Sequence, residues 1–246
     1  MKMKSILIVL IILCCTKMGY AQEENGGSSP KFNIETVFAN EYAWRGITYD
    51  EGLVIQPTLT MSLDKWTFQI WGNIAAVEKD GFPRNHELDF LAQYSFEFGD
   101  LTLSPFLQYY TYPDQEEDAA LELSLSAYYP IGDFTIGTTL SRDIKLGIPY
   151  LFGYHDVSYE KELNKDLSAN ASAGFGWGTK NFNRYYVGMD KGALNYVFVD
   201  LSLNYALNEN VVLKPFAEFY IITDSEIKDL TNSDIVNFGL SVSIDF

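Results

Sequence analysis

The segment IVNFGLSVSIDF, residues 235–246, carries the reading on which the fold turns. Val236, Phe238, Leu240, Val242, Ile244 and Phe246 occupy every second position, and Ile235, Asn237, Gly239, Ser241, Ser243 and Asp245 fill the gaps. Successive side chains of a β-strand point to opposite faces. One face of this segment is therefore continuously apolar, and the other is mostly small or polar.

The same split recurs upstream. Phe32, Ile34, Thr36 and Phe38 oppose Asn33, Glu35, Val37 and Ala39. Leu88, Phe90, Ala92 and Tyr94 oppose Glu87, Asp89, Leu91 and Gln93. Twelve such runs begin near Phe32, Leu53, Trp66, Glu87, Leu101, Ala119, Phe134, Leu151, Leu167, Tyr196, Val211 and Ile235. Their connections alternate in length. Short ones lie at Asp64-Lys65, Gly99-Asp100, 131–133, 164–166 and 208–210; long ones span 46–52, 78–86, 113–118, 142–150, 178–195 and 222–234.

An even number of strands of about ten residues, with tight turns at one end and longer loops at the other, is the pattern of outer-membrane barrels. The expected fold is all-β: a transmembrane, antiparallel, up-and-down β-barrel of about 12 strands. A soluble sandwich also alternates, but it covers its apolar face with a second sheet. Two features favour lipid. Trp44, Trp66, Phe98, Tyr129, Phe134, Trp177 and Tyr205 stand near run ends on the apolar face, as interfacial aromatics do. The opposite face carries too many ionisable groups for a dry core.

The chain opens with Lys2 and Lys4, an apolar run from Ile6 to Cys15, and Gly19-Tyr20-Ala21. That is the layout of a secretory signal cut after Ala21. The expected organisation is a signal peptide at 1–21, a short periplasmic segment at 22–31, and the barrel at 32–246. Both cysteines fall in the signal, so the mature chain has no disulfide. The signal also removes Lys2, Lys4 and Lys17, which makes the formal net charge of −16 more negative still. Nucleic acid is excluded as a partner, because its affinity rests on Lys and Arg contacts to phosphate.

On this parity the lumen is lined by Glu35, Glu41, Arg45, Glu87, Asp89, Tyr110, Asp156, Asp200, Lys214, Glu218 and Tyr220, joined by Glu122 and by aromatics such as Trp71, Tyr112 and Phe216. Most of the charges are acidic, and such a lumen attracts cations. Glu41, Arg45, Glu87 and Asp89 are expected toward the outer mouth, with Arg45 beside a carboxylate. Ion pairs that merely brace the wall are the competing reading.

No catalytic residue, cofactor or metal site is expected. His86 and His155 are the only histidines, and no serine stands at a spacing that suggests a nucleophile held by an oriented base. The acidic run Asp114-Gln115-Glu116-Glu117-Asp118 reads as a solvated loop. The segment 176–192 is too scattered in its glycines to cradle phosphate.

Two ten-residue stretches repeat: LTLSPFLQYY at 101–110 and VVLKPFAEFY at 211–220. Pro57, Pro105 and Pro215 all fall on the apolar parity of their runs. Proline cannot donate to a β-ladder, so a bulge or a locally unpaired carbonyl is expected at each.

The opening hairpin, NEYAWRGITYDEGLVIQPTLTMSLDKWTFQIWGN, resembles that of the TorF-type porins at Tyr42, Arg45, Gly46, Ile47, Gln56, Trp71 and Gly72. Pro57 departs from that pattern. The resemblance implies a Gram-negative outer membrane and a channel. Together these readings give a narrow porin-like channel that passes ions or small solutes passively and prefers cations. Its partners are outer-membrane lipid and, through the terminal strand ending in Phe246, the barrel-assembly machinery. A non-conducting structural or surface-interaction barrel is the alternative, and a barrel enzyme is a more distant one.

Overall fold

A computed structural model describes residues 29–77, 85–113, 119–231 and 234–246. The expected signal at 1–21, most of the segment 22–31 and the acidic run 114–118 lie outside the described residues. The strands are β1 (Lys31–Trp44), β2 (Ile47–Leu63), β3 (Trp66–Ala75), β4 (Glu87–Tyr94), β5 (Phe96–Phe98), β6 (Leu101–Thr111), β7 (Ala120–Ile131), β8 (Phe134–Asp143), β9 (Phe152–Asn164), β10 (Leu167–Gly178), β11 (Ala193–Ala206), β12 (Val211–Ile222) and β13 (Ile235–Asp245). Apart from β4 and β5, consecutive strands pair antiparallel, β1 pairs with β13, and β4 pairs with β6, so the sheet closes on itself. β4 and β5 are two parts of one stave interrupted at Ser95. The result is a closed, antiparallel barrel of twelve staves.

Alternation sorts the faces. Phe68, Ile70, Leu107, Leu123, Leu201 and Phe238 stand on the exterior, and Phe238 is 56% exposed. Glu87, Asp89, Ser104, Glu122, Ser124, Asn237 and Ser241 turn inward and are buried. This is the inverse of a water-soluble protein, which rarely shows a large continuous apolar surface. Trp66, Phe98, Tyr129, Phe134 and Tyr205 are exposed at the short-turn end. Trp66 stacks on Phe68 at 5.7 Å and Phe134 lies against Tyr159 at 5.3 Å. The aromatic girdle is therefore built at that rim.

Trp44 does not join it. The register slips between Ala39 and Glu41 and again between Tyr42 and Ala43. Asn40 sits at the first irregularity, where its side chain accepts from Phe238 N and donates to Val236 O. One extra residue inverts the parity beyond it. Tyr42, rather than Glu41, takes the buried position opposite Asp50, and Trp44 packs against Tyr110, Phe182 and Tyr186. The expected loop at 46–52 is also largely strand: β2 begins at Ile47, after a two-residue turn at Arg45 and Gly46.

The three prolines keep the register. Pro57 pairs with Thr36, Pro105 with Leu125 and Pro215 with Leu240. On the opposite side of each, the ladder has a gap. It runs from Ile55↔Ile74 to Thr58↔Trp71, from Gln93↔Phe106 to Phe96↔Leu103, and from Ser202↔Phe216 to Tyr205↔Leu213. Each proline thus removes pairing on one flank without inserting a residue. The break between β4 and β5 is the mark of Pro105.

Two short helices lie in the long loops: α1 (Lys180–Tyr186) between β10 and β11, and α2 (Ser225–Thr231) between β12 and β13. Phe182 and Tyr186 are four apart on α1 and so share a face, with ring centroids 4.9 Å apart. That face is turned into the barrel mouth. Phe182 and Met189 are fully buried there with Tyr150, Phe152, Tyr196, Phe198, Ile222 and Ile227.

Candidate functional site

The mouth at the long-loop end is organised around Arg45. Its Nη1 and Nη2 donate to the two oxygens of Glu122 at 2.8 and 2.7 Å. Tyr110 also donates to Glu122, at 2.9 Å, and so does Tyr150, at 2.5 Å. The Glu122 side chain is 1% exposed and that of Arg45 is 12% exposed. A bidentate guanidinium–carboxylate pair is the strongest arrangement available to these groups. Arg45 is also stacked: its guanidinium carbon lies 4.2 Å from the Trp44 ring centroid and 4.4 Å from that of Phe152.

The pair ties together elements distant in sequence. Arg45 comes from the β1–β2 turn, Glu122 from β7 and Tyr150 from the segment before β9. Phe182, from α1, closes the group and stands 5.5 Å from Tyr150. The loop carrying α1 is held from beneath. Asn183 is fully buried, accepts from Asn195 at 2.8 Å and donates to Lys191 O at 3.0 Å. Asn195 in turn accepts from Gly178 N. Leu151 N donates to Thr179 Oγ1 at 3.0 Å, joining the β8–β9 and β10–β11 connections. These contacts form an inward-folded plug.

Below the plug lies a cavity of about 680 Å³. It reaches from Tyr42 and Tyr220 to Asp133, in the short turn between β7 and β8. Register explains its polar wall. Ser158 pairs with Ser172, Ser172 with Asp200, Asp200 with Glu218, and Glu218 with Asn237. One level of the barrel is thus a belt of small hydroxyls, two carboxylates and an amide. Ser172 donates to Asp200 at 3.2 Å and Asn237 to Glu218 at 2.9 Å. Asp156 also lines the cavity. Lys214 lies 3.0 Å from Glu35, which accepts from Ser241 as well.

The upper wall carries Glu87 and Asp89, both buried. Tyr42 donates to Glu87 at 2.9 Å and Gln108 donates to Asp89 at 3.0 Å. Asp50 accepts from Asn73 and from Asn85 N. Glycines let rings lie flat on the wall nearby: Gly174 faces Phe198, and a Cβ there would stand 2.8 Å from that ring.

The residues expected in the lumen separate into groups. Arg45 and Tyr110 belong to the plug, where Glu122 unites them. Asp156, Asp200, Lys214, Glu218 and Tyr220 line the main cavity, and Glu35 joins it through Lys214. Glu87 and Asp89 stand on the upper wall. Glu41 accepts hydrogen bonds from Asn40 and Thr48 within its own hairpin. Tyr150, Phe182, Asn183 and Asn195 were not foreseen. The aromatic density of the stretch NFNRYY at 181–186 is the signal that points to them.

His155 lies outside this chemistry. Trp177 Nε1 donates to its Nε2 at 2.9 Å, which assigns the ring proton to Nδ1, 2.7 Å from Thr138 Oγ1. Both ring nitrogens are therefore engaged on the outer face, beside Phe175.

A closed antiparallel wall, apolar outside and polar within, defines a barrel of the outer-membrane type. No protein-family model matches the chain, and no curated protein matches it. Solved structures do. The fold is similar to the KdgM porin in complex with disordered oligogalacturonate, with a TM-score of 0.54, 10% identity, and coverage of 88% of this chain and 99% of that one. It is similar to the NanC porin at a TM-score of 0.56 and 9% identity, covering 87% and 98%. The translocator domain of the autotransporter NalP from Neisseria meningitidis matches at 0.51 and 10%, covering 99% and 95%. At such identities the likeness is one of fold.

Proposed function

We propose that this chain is a porin-like channel of a bacterial outer membrane, narrow and passive, with a preference for cations. The observation that carries this reading is the carboxylate-walled cavity inside an apolar-faced barrel. Asp200 and Glu218 stand directly opposite each other on neighbouring strands. Like charges so placed repel, and a resident population of mobile cations offsets that cost. Lys214, the one lysine lining the cavity among the described residues, is paired with Glu35. A wall of this sign disfavours acidic polymers such as the oligogalacturonate named with the KdgM structure.

The same reading assigns residues 1–21 to a cleaved secretory signal and 22–31 to a short periplasmic lead. It puts the short turns on the periplasmic side and the plug outside. It gives the terminal strand, ending in the exposed Phe246, the task of engaging the barrel-assembly machinery. It excludes catalysis and relates the chain to the TorF-type porins.

Planar-bilayer recording in a salt gradient tests it. Discrete steps with a reversal potential on the cation side are expected. A second reading has its own support: the buried Arg45–Glu122 plug suits a barrel that conducts nothing and serves as a structural or surface-interaction protein. A silent bilayer favours that alternative.

A further inference from the structure

Most basic side chains at the long-loop end of the barrel are paired with acids. Arg45 binds Glu122, Lys180 and Arg184 bind Asp190, Lys191 reaches Asp224 and Glu226, and Lys228 reaches Asp234. Arg142 and Lys145 are different. Both are exposed, and neither has an acid partner among the described residues.

Arg142 lies on the outward face of β8, in line with the exposed Phe134, Ile136 and Leu140. It pairs with Leu123 of β7, which is exposed as well. Phe134 belongs to the aromatic girdle at the short-turn rim, and Arg142 stands eight residues further along the strand. At about 3.4 Å per residue and a tilt of about 40°, that is roughly 20 Å of height. The apolar band of such a barrel is about 25 Å tall, so Arg142 reaches the polar edge of the lipid at the other end. Lys145 follows β8. Its Nζ donates to Ala119 O and lies 5.5 Å from the Tyr109 ring centroid. Tyr109 pairs with Leu121, which shares the outward face of β7 with Leu123. Both cations therefore stand over one strip of wall, from β6 to β8. Its lower part is Leu107, Leu123, Leu125 and Leu140, all exposed.

A long basic side chain at the lipid edge lays its methylenes on apolar surface and holds its charge among the headgroups. The guanidinium of Arg142 offers a planar fork that matches phosphate oxygens. The ammonium of Lys145 keeps two N–H donors after its bond to Ala119. The leucines beneath supply the apolar bed that acyl chains need. The chain as a whole is acidic, with a formal net charge of −16, so two neighbouring cations without acids mark this sector for an anion. We propose that the outward strip of β6, β7 and β8 binds a phosphate-bearing acidic lipid, with the phosphate between Arg142 and Lys145 and the acyl chains on the leucines. The site goes beyond the channel reading. It needs a barrel set in lipid but not conduction.

The full mature chain, folded in detergent, is titrated with dioleoyl phosphatidic acid and, separately, with dioleoyl phosphatidylcholine, and bound lipid is counted by native mass spectrometry. A basic residue beside an anionic headgroup is worth about fivefold in affinity, so the two together should favour phosphatidic acid by roughly 25-fold. Arg142→Gln and Lys145→Gln should each remove about fivefold of that preference, and the double variant should abolish it. Lys65→Gln, at the opposite rim beside Glu97, should leave it in place. Should the double variant fail to fold, judged by heat-modifiability on a gel, the two single variants carry the test. Equal affinity for the two lipids, or an undiminished preference in a folded Arg142 or Lys145 variant, overturns the proposal. Inorganic phosphate at the same concentration should not displace the lipid; displacement overturns a lipid as the occupant. A silent bilayer with an intact lipid preference overturns the channel and leaves this site; a conducting bilayer with no preference does the reverse.

Discussion

Replacing Arg45 by alanine should open the mouth of the barrel. Glu122 is fully buried, and removing one partner of a buried ion pair costs about 3–5 kcal/mol. The stacking of the guanidinium on Trp44 and Phe152 adds about 0.5–2 kcal/mol for each ring. Tyr110 and Tyr150 still donate to Glu122 in the variant, so part of the loss is recovered, and about 3 kcal/mol is a reasonable net. This cost falls on the plug, because the strands stay paired without it. At about 1.4 kcal/mol per tenfold, the ratio of closed to open plug should drop by roughly two orders of magnitude. Hydrogen exchange across residues 180–186 should accelerate by that factor, and conductance steps in a bilayer should grow or become more frequent. Arg45→Lys keeps the charge but not the planar fork or the stacking, and it should fall between. Exchange across α1 unchanged in Arg45→Ala would refute the reasoning, whatever the bilayer shows.

Three further outcomes are expected. Asp190 is held below its ordinary carboxylate value of 3.8 by hydrogen bonds from Lys180 and Arg184; burial pushes Asp224 up, but bonds from Lys191 and from Ile227 N outweigh it and leave it lowered too. Lowered acids lend their stability above the unfolded value and lose it as pH falls through the folded one, so protease sensitivity in the loops at 187–192 and 223–234 should rise below about pH 4 and stay flat from pH 5 to 8. Pro215→Ala gives β12 an amide where its ladder to β11 is broken, a gain of about 0.5–1.5 kcal/mol set against about 0.4–1 kcal/mol of added unfolded-chain entropy; the barrel should keep its heat-modifiable mobility, whereas Leu213→Pro, paired on both sides with Tyr205 and Val242, should lose it. Leu201→Arg, on the exterior at mid-strand, should lower folding stability in lipid vesicles by about 2–4 kcal/mol, and an unchanged denaturant midpoint would contradict a lipid-facing Leu201.

The alternation of IVNFGLSVSIDF is legible because period two depends on backbone geometry alone, and the same holds for the faces of β3, β6, β7, β10 and β11. It fails where one residue is inserted. Asn40 takes up ladder positions beside β13 through its side chain, and nothing in the local string marks that. Parity from Phe32 therefore put Trp44 in the lipid girdle, whereas it packs inside against Tyr110 and Phe182. Pro57, Pro105 and Pro215 were visible as interruptions, but whether each would bulge or merely leave a gap depends on the neighbouring strand. The ion pair of Arg45 was foreseeable in kind. Its partner was not, since Glu122 is 77 residues away and meets Arg45 across the bore.

Composition and periodicity by themselves determined that this chain is a rolled sheet with a greasy outside and an acidic inside, because each strand carries its own two faces wherever it goes. Closure alone decided which inward groups meet. Strands distant in sequence, among them β1 and β7, face one another across the lumen, so the plug in which Arg45 meets Glu122 exists only in three dimensions.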